Sequence, residues 1–189
     1  MLIIYAHPNK LGHNGYILKQ LKEEFKRQKP QVLDLYKIKY APTMSQKELY
    51  TSGGRIPAKD TLKFQRLLKK HRKIIIIYPT WWNSTPAILK GFFDRVLTSK
   101  FAFKYDSRGI PKGLLKGKVA VVTTTGSSSL MHNLLQGGRS LKIVAKDTLK
   151  FCGYESQGFL IGSATHLTDK RKRKIEKLTK KISKYIKTK

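Results

Sequence analysis

Cysteine is nearly missing from this 189-residue sequence: Cys152 stands alone, which excludes an internal disulfide and a metal cluster built on cysteines. Its setting, Leu149-Lys150-Phe151-Cys152-Gly153, reads as a helix end, where a small buried apolar residue is the default. Acidic residues are scarce too, 11 Asp+Glu against 40 Lys+Arg, for a formal net charge of +29. Such a surplus gives a positive field with affinity for polyanions and anionic surfaces. The lysines are spread along the chain rather than gathered, which favours plain solvated faces over a dedicated binding segment. No apolar run approaches the roughly 20 residues of a membrane-spanning helix. Met1 leads straight into Leu2-Ile3-Ile4-Tyr5 without a basic leader, so a cytoplasmic protein is expected. Internal repeats and linker-like stretches are absent, and residues 1–189 are read as one domain with a full core.

What the chain does have is an unbroken β-branched run, Ile74-Ile75-Ile76-Ile77, of the kind a strand buried on both faces needs. Tyr78-Pro79 ends it, because proline removes a ladder donor. Thr80-Trp81-Trp82-Asn83 follows, and Ser84-Thr85-Pro86 reads as a helix start with proline at the first helical position. Further strands are expected at 2–6, 32–36, 118–123 and 158–161. Between them lie a helix with Ile17, Leu18, Leu21 and Phe25 on one face, and a helix capped by Asp60 with Leu62, Leu67 and Leu68 apolar. Residues 42–54 are polar and irregular, with one helical turn near 46–50, and 101–109 reads as a loop. A helix over 140–152 and a last one starting near Thr168, with Ile175, Leu178, Ile182 and Ile186 at helical spacing, complete the chain. Strands alternating with helices predict an α/β fold: a doubly wound, five-stranded parallel sheet in the order 2-1-3-4-5 with helices on both faces.

In such a sheet the loops after the first, third and fourth strands reach one edge, where ligands of open α/β sheets bind. Here they are residues 7–14, 79–83 and 124–129. The first runs into a helix N-terminus, whose free N–H groups and dipole attract phosphate. The second offers indoles and peptide groups to a planar ring system. The third offers Thr124, Thr125 and a glycine, Gly126, where backbone can approach a ligand closely. Singly, each has a plain structural reading: His7 as a strand-end histidine bonded to backbone, Trp81 and Trp82 as core or interface residues, Thr124-Thr125-Gly126 as a common strand end. Their joint placement reverses that reading. Neither a Walker loop nor a Gly-x-Gly-x-x-Gly turn is present.

Ala6-His7-Pro8 with Asn14, Tyr78-Pro79-Thr80-Trp81-Trp82 and the block Pro86-Ala87-Ile88-Leu89-Lys90-Gly91-Phe92-Phe93-Asp94-Arg95-Val96 occur in that order. Phe101-Ala102-Phe103-Lys104-Tyr105, Thr123-Thr124-Thr125-Gly126 and Phe151-Cys152-Gly153 follow. With these pieces the chain, up to about Ile161, resembles the flavodoxin-like NAD(P)H:quinone oxidoreductases of the DT-diaphorase type, including the small oxidoreductases that accompany potassium-efflux systems. The resemblance implies a noncovalent flavin, FMN or FAD, with NAD(P)H as co-substrate, a quinone or similar acceptor and a homodimer. It places His7, His13 and Asn14 along the phosphate and ribityl part. Pro79, Thr80, Trp81, Trp82 and Asn83 line the isoalloxazine, and Thr124, Thr125, Gly126 and Ser127 border its pyrimidine side. Phe103 and Tyr105 match aromatic residues that cover the substrate, often across the dimer interface.

The chain departs from the family where Gly12 replaces a serine and His13 an aromatic, which leaves phosphate binding to backbone N–H groups, His13 and Lys10. The family's hydride-assisting tyrosine and histidine fall at His132 and near Gly138-Arg139, so His132 and Arg139 are the candidate catalytic residues, stabilising developing negative charge. Arg139 alternatively grips a nicotinamide dinucleotide phosphate. Two other readings stay open: a flavodoxin-type electron carrier, disfavoured by the basic charge, and an ancillary regulatory subunit of a potassium-efflux transporter. The run Lys170-Arg171-Lys172-Arg173-Lys174 raises nucleic acid as a partner, but it opens a helix with a core face and belongs to no recognised nucleic-acid module.

Overall fold

The computed structural model describes residues 1–38, 40–49 and 57–188. Along the chain run β1 (Leu2–Tyr5), α1 (His13–Glu24), β2 (Gln31–Asp34), α2 (Lys59–Lys70), β3 (Lys73–Pro79), α3 (Ala87–Val96), β4 (Phe103–Tyr105), β5 (Pro111–Gly113), β6 (Lys118–Thr124), α4 (Ser129–Leu134), α5 (Arg139–Lys142), β7 (Glu155–Ile161) and α6 (Asp169–Lys187). Five strands form one parallel sheet in the order β2-β1-β3-β6-β7. In chain numbering that order is 2-1-3-6-7 rather than the expected 2-1-3-4-5, because 101–109 is not only loop. It contains β4, which pairs antiparallel with β5 through Phe103↔Gly113 and Tyr105↔Pro111. Strands of three half-exposed residues carry no alternation long enough to read.

The isoleucine run sits at the centre, Ile75 opposite Ile3 on one side and Ala120 on the other. All four isoleucines are buried, and alternation sends them to two cores. Ile74 and Ile76 join Phe64, Leu68, Phe92 and Val144 under α2, α3 and the α5 segment. Ile75 and Ile77 join Ile17, Leu21, Ile175 and Ile182 under α1 and α6. Burial of each such side chain is worth about 1.5–3 kcal/mol, so the strand is specified by two-sided packing.

Several local expectations change. The cap of α2 is Ala58; Asp60 lies inside the first turn, where its carboxylate accepts from Arg95 Nη2 at 2.9 Å. Phe64 rather than Leu62 fills the core beside it, Leu62 being exposed. Pro86 is the cap of α3, its carbonyl accepting from Leu89 and Lys90, and the helix begins one residue later. Of the turn expected at 46–50, Gln46–Glu48 is a 3₁₀ turn closed by a Ser45/Glu48 capping box; Tyr50 and the rest of that segment through Gly54 lie outside the described residues. The 140–152 helix starts as α5 and continues as a π-helix over Ile143–Lys150. Thr148 Oγ1 donates to the Ile143 carbonyl at 2.8 Å and Ser156 Oγ to that of Ala145. Burial pushes the Cys152 thiol up to about 11, in keeping with an inert core role. Thr168 caps α6 by accepting from the Arg171 N–H.

A buried ionic knot joins α2, α3 and the 40–48 segment. Arg95 donates from Nε to Glu48 at 3.0 Å and to the Ala41 carbonyl, and its guanidinium lies 4.9 Å above the Tyr40 ring. Burial alone would raise the Glu48 carboxyl, yet hydrogen bonds from Ser45 and Arg95 outweigh it and hold it below its ordinary value.

Candidate functional site

The carboxyl-end loops of β1, β3 and β6 meet above the sheet through direct contacts. Asn14 Nδ2 donates to Thr124 Oγ1 at 2.8 Å, and the Thr80 N–H to the Thr124 carbonyl at 2.7 Å. The His7 ring lies 6.2 Å from that of Trp81. His7, His13, Asn14, Pro79, Thr80, Trp81, Asn83, Thr124 and Thr125 therefore share one edge, with Trp82, Gly126 and Ser127 next to them in the chain.

The β1 loop is compact because its own polar groups fold it. Asn9 Oδ1 accepts from the Leu11 N–H at 2.8 Å, Tyr5 OH donates to the Asn9 carbonyl at 2.9 Å, and Lys10 Nζ pairs with Asp34 at 2.6 Å. The loop then crosses the first turn of α1 so closely that a Cβ on Gly15 would stand 1.8 Å from the Lys10 carbonyl oxygen; only glycine fits. No side chain caps α1, whose N-cap is Gly12. Its first two side chains, His13 and Asn14, are buried, and His13 Nε2 and Asn14 Oδ1 lack any hydrogen-bond partner among the described residues. Burial, then the nearby Arg171 and His166, push the His13 imidazole below its ordinary value. An uncapped helix N-terminus with cationic neighbours and unfilled polar atoms is what an anionic group fits.

After β3 the backbone closes a tight turn. Trp81 and Ser84 exchange hydrogen bonds at 3.1 and 2.9 Å, while Trp82 (φ 50°) and Asn83 (φ 55°) both lie in the left-handed region, the pattern of a type I′ turn. Asparagine tolerates that conformation; tryptophan does so at a cost. Trp82 is fully exposed at 101% and Trp81 at 41%, so burial does not fix them. Asn83 Nδ2 donates to the Gln136 carbonyl at 3.2 Å, and its buried Oδ1 has no partner among the described residues. The β6 loop is pinned from behind: Thr125 N–H to the Ile161 carbonyl at 3.0 Å, Thr125 Oγ1 to Ser127 Oγ at 3.1 Å, and Ser163 N–H to the Ser127 carbonyl at 2.7 Å. Exposed Gly126 faces open space, with nothing within 4 Å of a Cβ placed on it.

Other expected residues stand apart. The Thr80 hydroxyl turns to Thr123 and Ser140, leaving its backbone for the loop edge. His132 is fully buried, its ring held by Gln136 and Ser140. Arg139 is exposed at the start of α5. Phe103 packs on Tyr105 and Phe151, 5.7 and 5.0 Å between centroids, and lines a groove of about 510 Å³ with Phe93, Leu97 and Ile143. None of the residues expected at the three loops lines that groove. A larger open depression of about 840 Å³ follows the outer face of α1 and shares only Lys10, Leu11 and Gly15 with the loop edge. Sequence reading missed His166, Arg171, Gln136 and Ser140. The first two follow from topology, since the loop after β7 ends on the same edge; the other two carry no local signal. Among the described residues no cluster of His, Cys, Asp or Glu is arranged to hold a metal ion, and no helix is long and apolar enough to cross a membrane.

The family described as having a flavodoxin-like fold matches residues 1–186. An uncharacterized NAD(P)H oxidoreductase from Haemophilus influenzae is 32% identical over 92% of this chain and 88% of its own. Human ribosyldihydronicotinamide dehydrogenase [quinone] is 32% identical over 92% of this chain and 85% of its own. A crystal structure of an FMN-dependent NADH-azoreductase from Bacillus anthracis in complex with FMN shares the fold, with a TM-score of 0.75 at 18% identity, covering 96% of this chain and 98% of that one.

Proposed function

We propose, for a chain that belongs to the flavodoxin-like NAD(P)H:quinone oxidoreductase family, that it binds FMN or FAD noncovalently at the β1–β3–β6 edge and moves two electrons from NAD(P)H to a quinone or similar acceptor in a ping-pong cycle. The chain is an oxidoreductase of that family; the flavin, the nucleotide, the acceptor and the order of steps are this proposal. The observation that carries it is a set of buried polar atoms without a partner among the described residues. His13 Nε2 and Asn14 Oδ1 in the first turn of α1 and Asn83 Oδ1 in the β3 turn gather at one sheet edge, the fourth such atom, Tyr154 OH, lying in the core. Buried polar groups are otherwise nearly always paired, so three together mark groups held ready for a polar ligand.

The residues fit a flavin. The bare N-terminus of α1, His13 and Asn14 would hold its phosphate and ribityl end. The backbone of 79–83 and the strip 124–127 would flank the ring system, with the space over Gly126 left for its edge. When bound, the flavin supplies the two-electron carrier chemistry, alternately serving NAD(P)H and the acceptor. The protein's part is position and field: exposed Arg139 would draw a nicotinamide dinucleotide phosphate or balance negative charge. His132, being buried, would act on the ring system only through other residues. Phe103 and Tyr105 lie on a hairpin away from their own loop edge, so covering the substrate requires the hairpin of a second protomer, and we read the protein as a homodimer working in the cytoplasm. The other reading the resemblance leaves, an ancillary subunit of a potassium-efflux transporter, would be supported by co-purification with that transporter.

Purified protein should be yellow, and NADH or NADPH should bleach the visible band. Colourless protein that takes up neither FMN nor FAD refutes the reading. Mass spectrometry of the released cofactor separates FMN from FAD, and stopped-flow reduction separates the two nucleotides.

A further inference from the structure

We propose that His132 is a positioning residue that fixes the 81–84 turn from behind, through Ser140 and Thr80 at one end and Gln136 at the other. The inference rests on the flavin reading for what the turn holds, but not for the contacts that hold the turn. Ser140 Oγ lies 3.1 Å from His132 Nε2 and accepts from Thr80 Oγ1 at 2.9 Å, while Thr80 Oγ1 is 3.0 Å from Thr123 Oγ1. On the other side His132 Nδ1 is 2.8 Å from Gln136 Oε1, and the Gln136 carbonyl accepts from Asn83 Nδ2 at 3.2 Å. One directed arrangement satisfies every member: Thr123 donates to Thr80, Thr80 to Ser140, Ser140 to Nε2, and Nδ1–H to Gln136. The imidazole thus reaches the residue before the turn and a residue within it. Tyr78 OH braces the same point by donating to the Ser140 carbonyl at 2.6 Å.

Two facts make this bracket consequential. The turn holds Trp82 and Asn83 in the left-handed region, a conformation that persists only where surroundings enforce it. The usual enforcer, burial, is missing, because Trp82 is fully and Trp81 partly exposed. Besides the turn's own Trp81–Ser84 bonds and the Thr80 N–H to the Thr124 carbonyl, hydrogen bonds from behind are what hold it. His132 is 0% exposed, so it serves the site without touching a ligand there.

The chain's two tryptophans both lie in the turn and report on it directly. In ligand-free full-length protein, His132→Ala and Ser140→Ala should shift the emission maximum and raise acrylamide quenching. His132→Gln, which keeps an acceptor for Ser140, should restore the wild-type values. FMN affinity should fall about 2- to 13-fold in each alanine variant, the effect of one hydrogen bond. It should fall no further in the double variant, since the two residues act in one chain of contacts. If His132→Ala does not fold by circular dichroism, Ser140→Ala, which removes a single oxygen, carries the test. Unchanged quenching in the alanine variants, losses that multiply in the double variant, or a glutamine variant as poor as alanine each overturn the proposal. A wild-type protein that binds neither FMN nor FAD, with quenching that still responds as described, sinks the flavin reading and leaves the positioning role standing.

Discussion

The β1 loop and the β3 turn meet the same sheet edge but are built in opposite ways. The first is shaped by close approach: the Lys10 carbonyl over Gly15, Asn14 bound to Thr124, His13 and Asn14 buried. The second stands clear of the core, strained at Trp82 and held by hydrogen bonds across the turn, before it at Thr80 and within it at Asn83. In the proposed flavin site the packed cradle would fix one end of the ligand, and the exposed turn, held by its hydrogen bonds, would offer its backbone to the other. Mutations should therefore act on stability in the cradle and on binding in the turn.

The strongest test of that contrast is Gly15→Ala. Its methyl has no room against backbone, so the variant should lose about 3 kcal/mol or more, or fail to fold; urea unfolding at full wild-type stability would refute the packed cradle. Acid should act next. His13 titrates below its ordinary value of 6.5 in the folded state, so the unfolded chain binds the proton more readily. Its contribution is present above that value and is lost as pH falls through it toward the lowered folded value. The thermal midpoint of wild type should drop over that window, and His13→Phe should flatten this part of the profile. On the turn side the sign should reverse: Trp82→Asn suits the left-handed position and sheds no buried surface, so stability should rise by roughly 0.5–1 kcal/mol while FMN binding weakens. At the rim, half-exposed Lys10 pairs with the buried Asp34 carboxylate, which keeps the Lys37 N–H as a donor; Lys10→Ala should cost about 1 kcal/mol in urea unfolding.

What the sequence discloses follows the same division. The isoleucine run announces a central two-faced strand because four consecutive β-branched residues suit little else, and the sheet edge follows from topology. Thr168 and the spacing of Ile175, Ile182 and Ile186 disclose α6. The β4–β5 hairpin is too short to show a period, and the π-helix carries an apolar pattern that an α-helix would also satisfy. The left-handed Trp82 has no residue signature, since tryptophan is an improbable choice there. His132 illustrates the limit best: a lone histidine four residues from Gln136 and eight from Ser140 gains its meaning only when α4, α5 and β3 are packed together.

The unpartnered atoms of His13, Asn14 and Asn83 also bear on the protein's life in a cell. Each buried polar group left without a partner costs roughly 1–3 kcal/mol, a large share of the margin a domain of this size carries. A ligand that supplies the missing partners stabilises the fold by mass action; were that ligand the proposed flavin, steady-state abundance would follow flavin supply even with transcription held constant.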